Sequence, residues 1–269
     1  MKRRTRRTKY LRKLPLSDFS KCHPSQTKKK HCLPDSVYSD MSYSEAGCKD
    51  GEDHCLLDKS TLPEETKKEY RKKYLRPRRP KEWDDKPDTW LDNYNIMHVM
   101  QQYEEVMPWF KFLGIFPIDF SAPNPYKKDK EECLYKETCS LNLKEEYAKG
   151  VRGIGMVFNL DPHFKGGSHW MALYINLQNI TKPGVYFFDS YGYKVPPLIA
   201  RLMRSFKLQI TTCELGTNAR RHQQSNTECG MFSIYFIICM IYGISFKEFC
   251  KKRIEDNMML ELRKILFSK

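Results

Sequence analysis

The sequence predicts an α+β fold: a central mixed sheet flanked by helices, preceded by a basic N-terminal extension. Short segments at 153–159, 170–176 and 184–188 are rich in β-branched and aromatic residues and are bounded by turn formers. Around them run longer stretches whose apolar residues recur at three- and four-residue spacing. With 40% hydrophobic and 13% aromatic residues among 269, the chain can bury a core and is not disordered throughout.

The net charge of +14 is concentrated at the front. Residues 1–80 carry 22 Lys/Arg against 11 Asp/Glu, which leaves the rest of the chain at +3. The chain therefore divides into a basic arm over 1–85, partly helical or flexible, and a body over 86–269. Charged tracts at 2–13, 28–30 and 67–79 mark the arm. The first allows a short amphipathic helix through Tyr10, Leu11 and Leu14; residues 64–74 have a helical composition that Pro77 stops. The remainder reads as flexible or loosely docked, and Pro77, Pro80 and Pro87 make 76–87 a linker.

In the body, Ile96, Val99, Met100, Tyr103 and Val106 define a helix. The apolar stretch 110–120, interrupted by Gly114 and Pro117, suits a strand leading to Asp119. Residues 126–137 read as a loop or short helix, and 141–150 as a helix closed by Gly150. After the three strands, 196–206 forms a helix with Pro196 or Pro197 in its first turn. A further strand is expected at 208–213, a buried helix at 230–242, and helices at 245–250 and 255–267. The apolar run 231–244 contains Ser233 and Gly243 and is short for a bilayer, so it reads as core.

Ten cysteines invite a disulfide reading, but the basic residues after Met1 are followed by no apolar leader run. Free thiols in a reducing compartment are the expectation. Cys22, His23, His31, Cys32, Cys48, His54 and Cys55 share one region, yet no Cys-x-x-Cys pair occurs and the spacing fits no common zinc finger. Neither a metal nor another cofactor is expected.

Three motifs in order suggest chemistry: Gly167-Ser168-His169-Trp170, then Phe187-Phe188-Asp189-Ser190, then Gln223 through Cys229-Gly230. Cys229 stands at a polar-to-apolar junction that opens a helix, where free backbone N–H groups and the helix dipole favour a thiolate. Cys239 and Cys250 lack that setting and read as packing residues. His169, at the mouth of a strand, is the base that would take the thiol proton; Asp189, ending the next strand, would orient its ring. His163, six residues earlier beside Asp161-Pro162, is the rival and reads as an exposed turn. Of Gln223 and Gln224, the one six residues before the thiol, Gln223, is placed to donate to an oxyanion together with the Cys229 N–H.

These residues resemble the ubiquitin-like-protein protease superfamily, which includes adenoviral proteases, SUMO-specific proteases and the polyprotein protease of African swine fever virus. His169-Trp170, Asp189 and Gln223 with Cys229-Gly230 match its order; Trp90-Leu91-Asp92-Asn93 resembles the Trp-Leu-Asn-Asp motif of SUMO proteases with the last two residues exchanged. The resemblance covers most of 88–269 and is weak before it. It implies a papain-like cysteine protease core of the SUMO/adenoviral type, cleavage after Gly-Gly, and Trp90 and Trp170 as walls of a narrow substrate tunnel. It further implies a viral enzyme that processes virion precursor polyproteins in the virion and in the host cytoplasm at the viral factory. An isopeptidase acting on ubiquitin-like modifiers, an acetyltransferase on the same fold, and a nucleic-acid-binding protein with a dead site are the alternatives. For the arm, non-specific DNA binding through phosphates is the expected role of 1–80.

Overall fold

In the computed structural model, which describes residues 14–26, 31–125 and 132–269, five strands form one sheet in chain order. They are β1 (Phe110–Phe116), β2 (Gly153–Asn159), β3 (Trp170–Asn176), β4 (Gly184–Phe188) and β5 (Glu214–Thr217). The outer pairs, β1–β2 and β4–β5, are parallel, and the inner pairs are antiparallel, so the sheet is mixed as expected. The three central strands fall on their expected residues. The expected strand at 208–213 does not form: the preceding helix runs on to Gln209, leaves Leu208 83% exposed, and β5 begins only at Glu214.

The helices are α1 (Asp35–Asp40), α2 (Asp53–Lys59), α3 (Glu64–Tyr74), α4 (Asn93–Val106), α5 (Lys136–Cys139) and α6 (Leu143–Ala148). They continue with α7 (Pro197–Gln209), α8 (Cys229–Ile241), α9 (Phe246–Lys251) and α10 (Asp256–Leu266). Asp92 caps α4 by accepting from the Asn95 N–H, while the Asn95 side chain accepts from the Asp92 N–H.

Alternating side chains send the sheet's two faces into two cores. Val157, Ala172, Tyr174 and Phe188 face α4, α8, α9 and α10; Met156, Phe158, Leu173 and Phe187 face α7 and Leu143 of α6. All thirteen residues of α8 are buried, which is why its sequence is apolar on every side. No helix among the described residues is long and apolar enough to cross a membrane.

Two expectations, one for the arm and one for the cysteines of the whole chain, are not met. The arm's described part is a packed helical unit rather than a loose one: Leu33, Val37, Leu56, Leu57 and Leu75 close a small core with Cys22 and Cys32. Six cysteines are paired rather than free, as Cys22–Cys32, Cys48–Cys55 and Cys133–Cys139. The physical reason is local: the partners are six to ten residues apart in the sequence, with Cα atoms 5.1–6.5 Å apart, inside bridging range. Two of these bridges staple a unit whose few leucines make only a small core.

Residues 76–87 are likewise no free linker. Arg76 is 2% exposed and donates through Nε and Nη2 to the Ser20 carbonyl, and Trp83 packs edge-on against Phe267 at 4.9 Å. The unit is docked on the body by the Tyr235 hydroxyl donating to the Leu14 carbonyl (2.8 Å) and by the Ser268 N–H donating to Pro77 O (3.0 Å). The tracts at 2–13 and 28–30, with the helix expected through Tyr10 and Leu11, lie outside the described residues, as do residues 126–131.

Candidate active site

Antiparallel pairing of β3 with β4 brings the start of one strand beside the end of the other, Ala172 opposite Phe188. His169, just before β3, thereby meets Asp189, just after β4: His169 Nε2 lies 3.2 Å from Asp189 Oδ2. Cys229 is the first residue of α8, which packs across β3, and its thiol is near enough to the same imidazole to influence its charge. With Nε2 paired to Asp189, Nδ1 is the ring nitrogen left for another partner. All three side chains are buried, at 6%, 1% and 3% exposure, so the pairing operates in a medium that screens poorly.

Burial alone would drive the imidazolium to lose its proton. The hydrogen bonds to Asp189 and Cys229, with the charges of those groups, outweigh it and hold His169 up at about 9. The ring of Tyr191 stacks on the imidazole at 5.0 Å, and the Tyr191 hydroxyl donates to the Ser225 carbonyl. Asp189 is fixed from its own backbone: its N–H donates to Asn218 Oδ1, Asn218 Nδ2 donates to its carbonyl, and its Oδ1 accepts from the Tyr191 N–H at 2.7 Å.

Gln223 is fully buried while Gln224 is exposed. The Ser190 hydroxyl donates to Gln223 Oε1 at 2.6 Å, and the Gln223 N–H donates to the Ser190 carbonyl. Its Nε2 is left buried without a protein partner. A buried amide donor with no acceptor is unfavourable in a resting protein.

Trp170 is half-buried and donates from Nε1 to the Leu91 carbonyl (2.8 Å); Trp90 stays 44% exposed, so neither is a plain core residue. Both line a cleft of about 390 Å³ that also takes in His169, Asp161 and His163. Gly230 sits close against this segment: a Cβ on it would stand 3.0 Å from Leu91 Cβ, so Leu91 would have to give by a few tenths of an ångström. His163 is set apart from the trio: its Nδ1 pairs with Asp119 Oδ2 at 2.7 Å, and its N–H donates to Asp119 Oδ1. Among the described residues no three His, Cys, Asp or Glu side chains converge as metal ligands.

Sequence reasoning passed over Ser190, Asn218, Tyr191 and the buried pair Glu228–Arg263. Ser190 and Tyr191 adjoin Asp189 and were visible as polar residues after an apolar strand; Asn218 and Arg263 are brought in only by tertiary folding.

Residues 124–269 match the family model described as the Ulp1 protease family, C-terminal catalytic domain. The chain is 31% identical over 194 residues to a cysteine protease of African swine fever virus, covering 66% of this chain and 67% of that protein. It is 27% identical over 191 residues to an Acanthamoeba polyphaga mimivirus protein that bears the name of a thiol protease, covering 68% of this chain and 58% of that protein. The crystal structure of the African swine fever virus protease superposes with a TM-score of 0.73 at 21% identity, covering 93% of this chain and 96% of that one. That coverage reaches into the N-terminal unit, well beyond the part where the sequence motifs lie.

Proposed function

The chain belongs to the Ulp1 protease family of cysteine proteases, and on that premise we propose that it is a viral endopeptidase cleaving virion precursor polyproteins after Gly-Gly. One observation carries the reading: a single buried imidazole pairs with a carboxylate and feels the charge of a helix-terminal thiol, and the Gln223 amide nitrogen is buried without a protein partner. In the proposed reaction His169 takes the Cys229 proton and Asp189 holds the resulting imidazolium. The thiolate attacks the scissile carbonyl carbon, and the oxyanion is received by Gln223 Nε2 and the Cys229 N–H. The imidazolium then protonates the leaving amine as the C–N bond breaks, which leaves a thioester. Water, deprotonated by His169, hydrolyses the thioester and releases the acid with the free thiol.

Residues without side chains at P1 and P2 suit a passage flanked by Trp90 and Trp170, with Leu91 pressed against Gly230. Peptides of the form Gly-Gly-X are expected to be cleaved after the second glycine, with Ala in place of either glycine lowering kcat/KM at least about tenfold. Mass-spectrometric mapping of the products is the check. Cleavage elsewhere, or tolerance of bulky residues at both positions, contradicts the specificity. Preference for a folded SUMO conjugate over any short peptide would instead favour the isopeptidase reading, and activity that requires acetyl-CoA the acetyltransferase one.

The basic arm is proposed to keep the enzyme near the genome in the virion and at the cytoplasmic viral factory, by non-specific phosphate contacts from 1–80. Because Leu14 and Arg76 are built into the body, the clean variant removes only residues 1–13, which carry eight Lys/Arg. Affinity for duplex DNA should fall steeply with salt, and that slope should flatten in the truncation. An unchanged slope contradicts this role.

A further inference from the structure

We propose that Arg263, acting through Glu228, is a positioning residue for the nucleophile and for the wall of the substrate passage. The proposal rests on Cys229 being the nucleophile. Glu228 is the residue before Cys229 and is 1% exposed; Arg263, on α10, is 3% exposed. The guanidinium grips the carboxylate with two bonds, Nη2 to Oε1 at 2.8 Å and Nε to Oε2 at 3.3 Å. Its third nitrogen, Nη1, donates to the Thr89 carbonyl at 2.5 Å, and its flat face lies 4.4 Å from the centre of the Trp83 ring.

Thr89 leads directly into Trp90 and Leu91. Leu91 is tied to Trp170 through its carbonyl and packs against the Cα of Gly230, the residue after the nucleophile. One planar cation therefore joins the turn carrying the thiol to the segment carrying the passage wall. Only a fork of fixed geometry can satisfy a carboxylate and a carbonyl at once; an ammonium on a flexible stem cannot. A buried charge pair is weak evidence for stability in itself, since apolar residues of similar size often serve as well. Its placement across two reacting elements points to alignment, where a displacement of about 1 Å costs roughly 100-fold in rate.

The test uses the full chain with Arg263→Met, Arg263→Lys, Glu228→Gln and the double variant Glu228→Gln/Arg263→Met. The readouts are kcat and KM on a Gly-Gly-X peptide, the rate of Cys229 alkylation by iodoacetamide, and the thermal midpoint. Arg263→Lys, which keeps charge and length, is expected to lose about 10- to 100-fold in kcat with KM within about threefold. Cys229 alkylation should slow with it at a temperature where the protein is fully folded. The double variant should lose no more than Arg263→Met alone, because the pair acts as one unit. Should Arg263→Met fail to fold, Arg263→Lys and Glu228→Gln still decide the matter. A folded Arg263→Lys with wild-type kcat and alkylation, or a change confined to the thermal midpoint or to KM, overturns the proposal. If the wild type's own activity survives Cys229→Ala, the fault lies instead in the reading of the nucleophile.

Discussion

Cys229→Ala is expected to fold as the wild type does and to lose peptidase activity by roughly 10⁴- to 10⁶-fold. The stability side of that statement follows from size. Removing one sulfur from a residue at the first turn of α8 leaves its backbone and the Glu228–Arg263 grip in place, and the change should stay below about 1.5 kcal/mol. The activity side follows from chemistry, since no other thiol can replace it. Cys213 and Cys239 are buried in the cores, and Cys250 lies on α9, outside the His169–Asp189 contact. Rates measured on one peptide for both proteins, with circular dichroism to verify folding, provide the check. Retained activity in the folded variant contradicts the assignment.

Asp189→Asn is expected to cost roughly 10²- to 10⁴-fold in kcat/KM and to move the alkaline limb of the pH profile downward. His169 is held up at about 9 against burial by its bonds to Asp189 and Cys229. With the carboxylate replaced by an amide, burial weighs more heavily against the imidazolium, and the proton leaves at lower pH. The wild-type profile should therefore fall as pH rises through about 9, and the variant's well before that. Linkage gives the matching stability statement. The folded-state value lies above the unfolded 6.5, so the stabilisation from the charged ring is fully present below pH 6.5 and is lost as pH rises through about 9. Superimposable pH profiles for the two proteins contradict the role of Asp189.

The mixed sheet and the residues gathered at the candidate site were both legible in the sequence, the edges of the architecture less so. His169, Asp189 and Cys229 each sit where a strand or helix begins or ends, and such junctions show as abrupt changes of hydropathy. The strands β2, β3 and β4 were readable because Gly, Asn and Pro mark their limits and both faces are buried. β5 was not: it is four residues long, half-exposed and contains a glycine. The N-terminal unit was read as loose because its cohesion comes from two disulfides and five aliphatic residues spread over some 40 positions. Local periodicity cannot reveal pairings of that kind. Arg263 is a similar case, since an arginine on an amphipathic helix ordinarily faces solvent. Only the packing of α10 behind the nucleophile turn makes it a buried ligand of Glu228.

The central claim is that one thiol of this chain is made nucleophilic by a buried imidazole and reached through a passage for glycine. A Gly-Gly peptide ending in an electrophile, incubated with the protein and followed by peptide-level mass spectrometry, addresses all of it at once. A single adduct is expected, on Cys229, that disappears in His169→Ala while Cys213, Cys239 and Cys250 remain unmodified. An adduct on another cysteine, or labelling of Cys229 at an equal rate without His169, would contradict it.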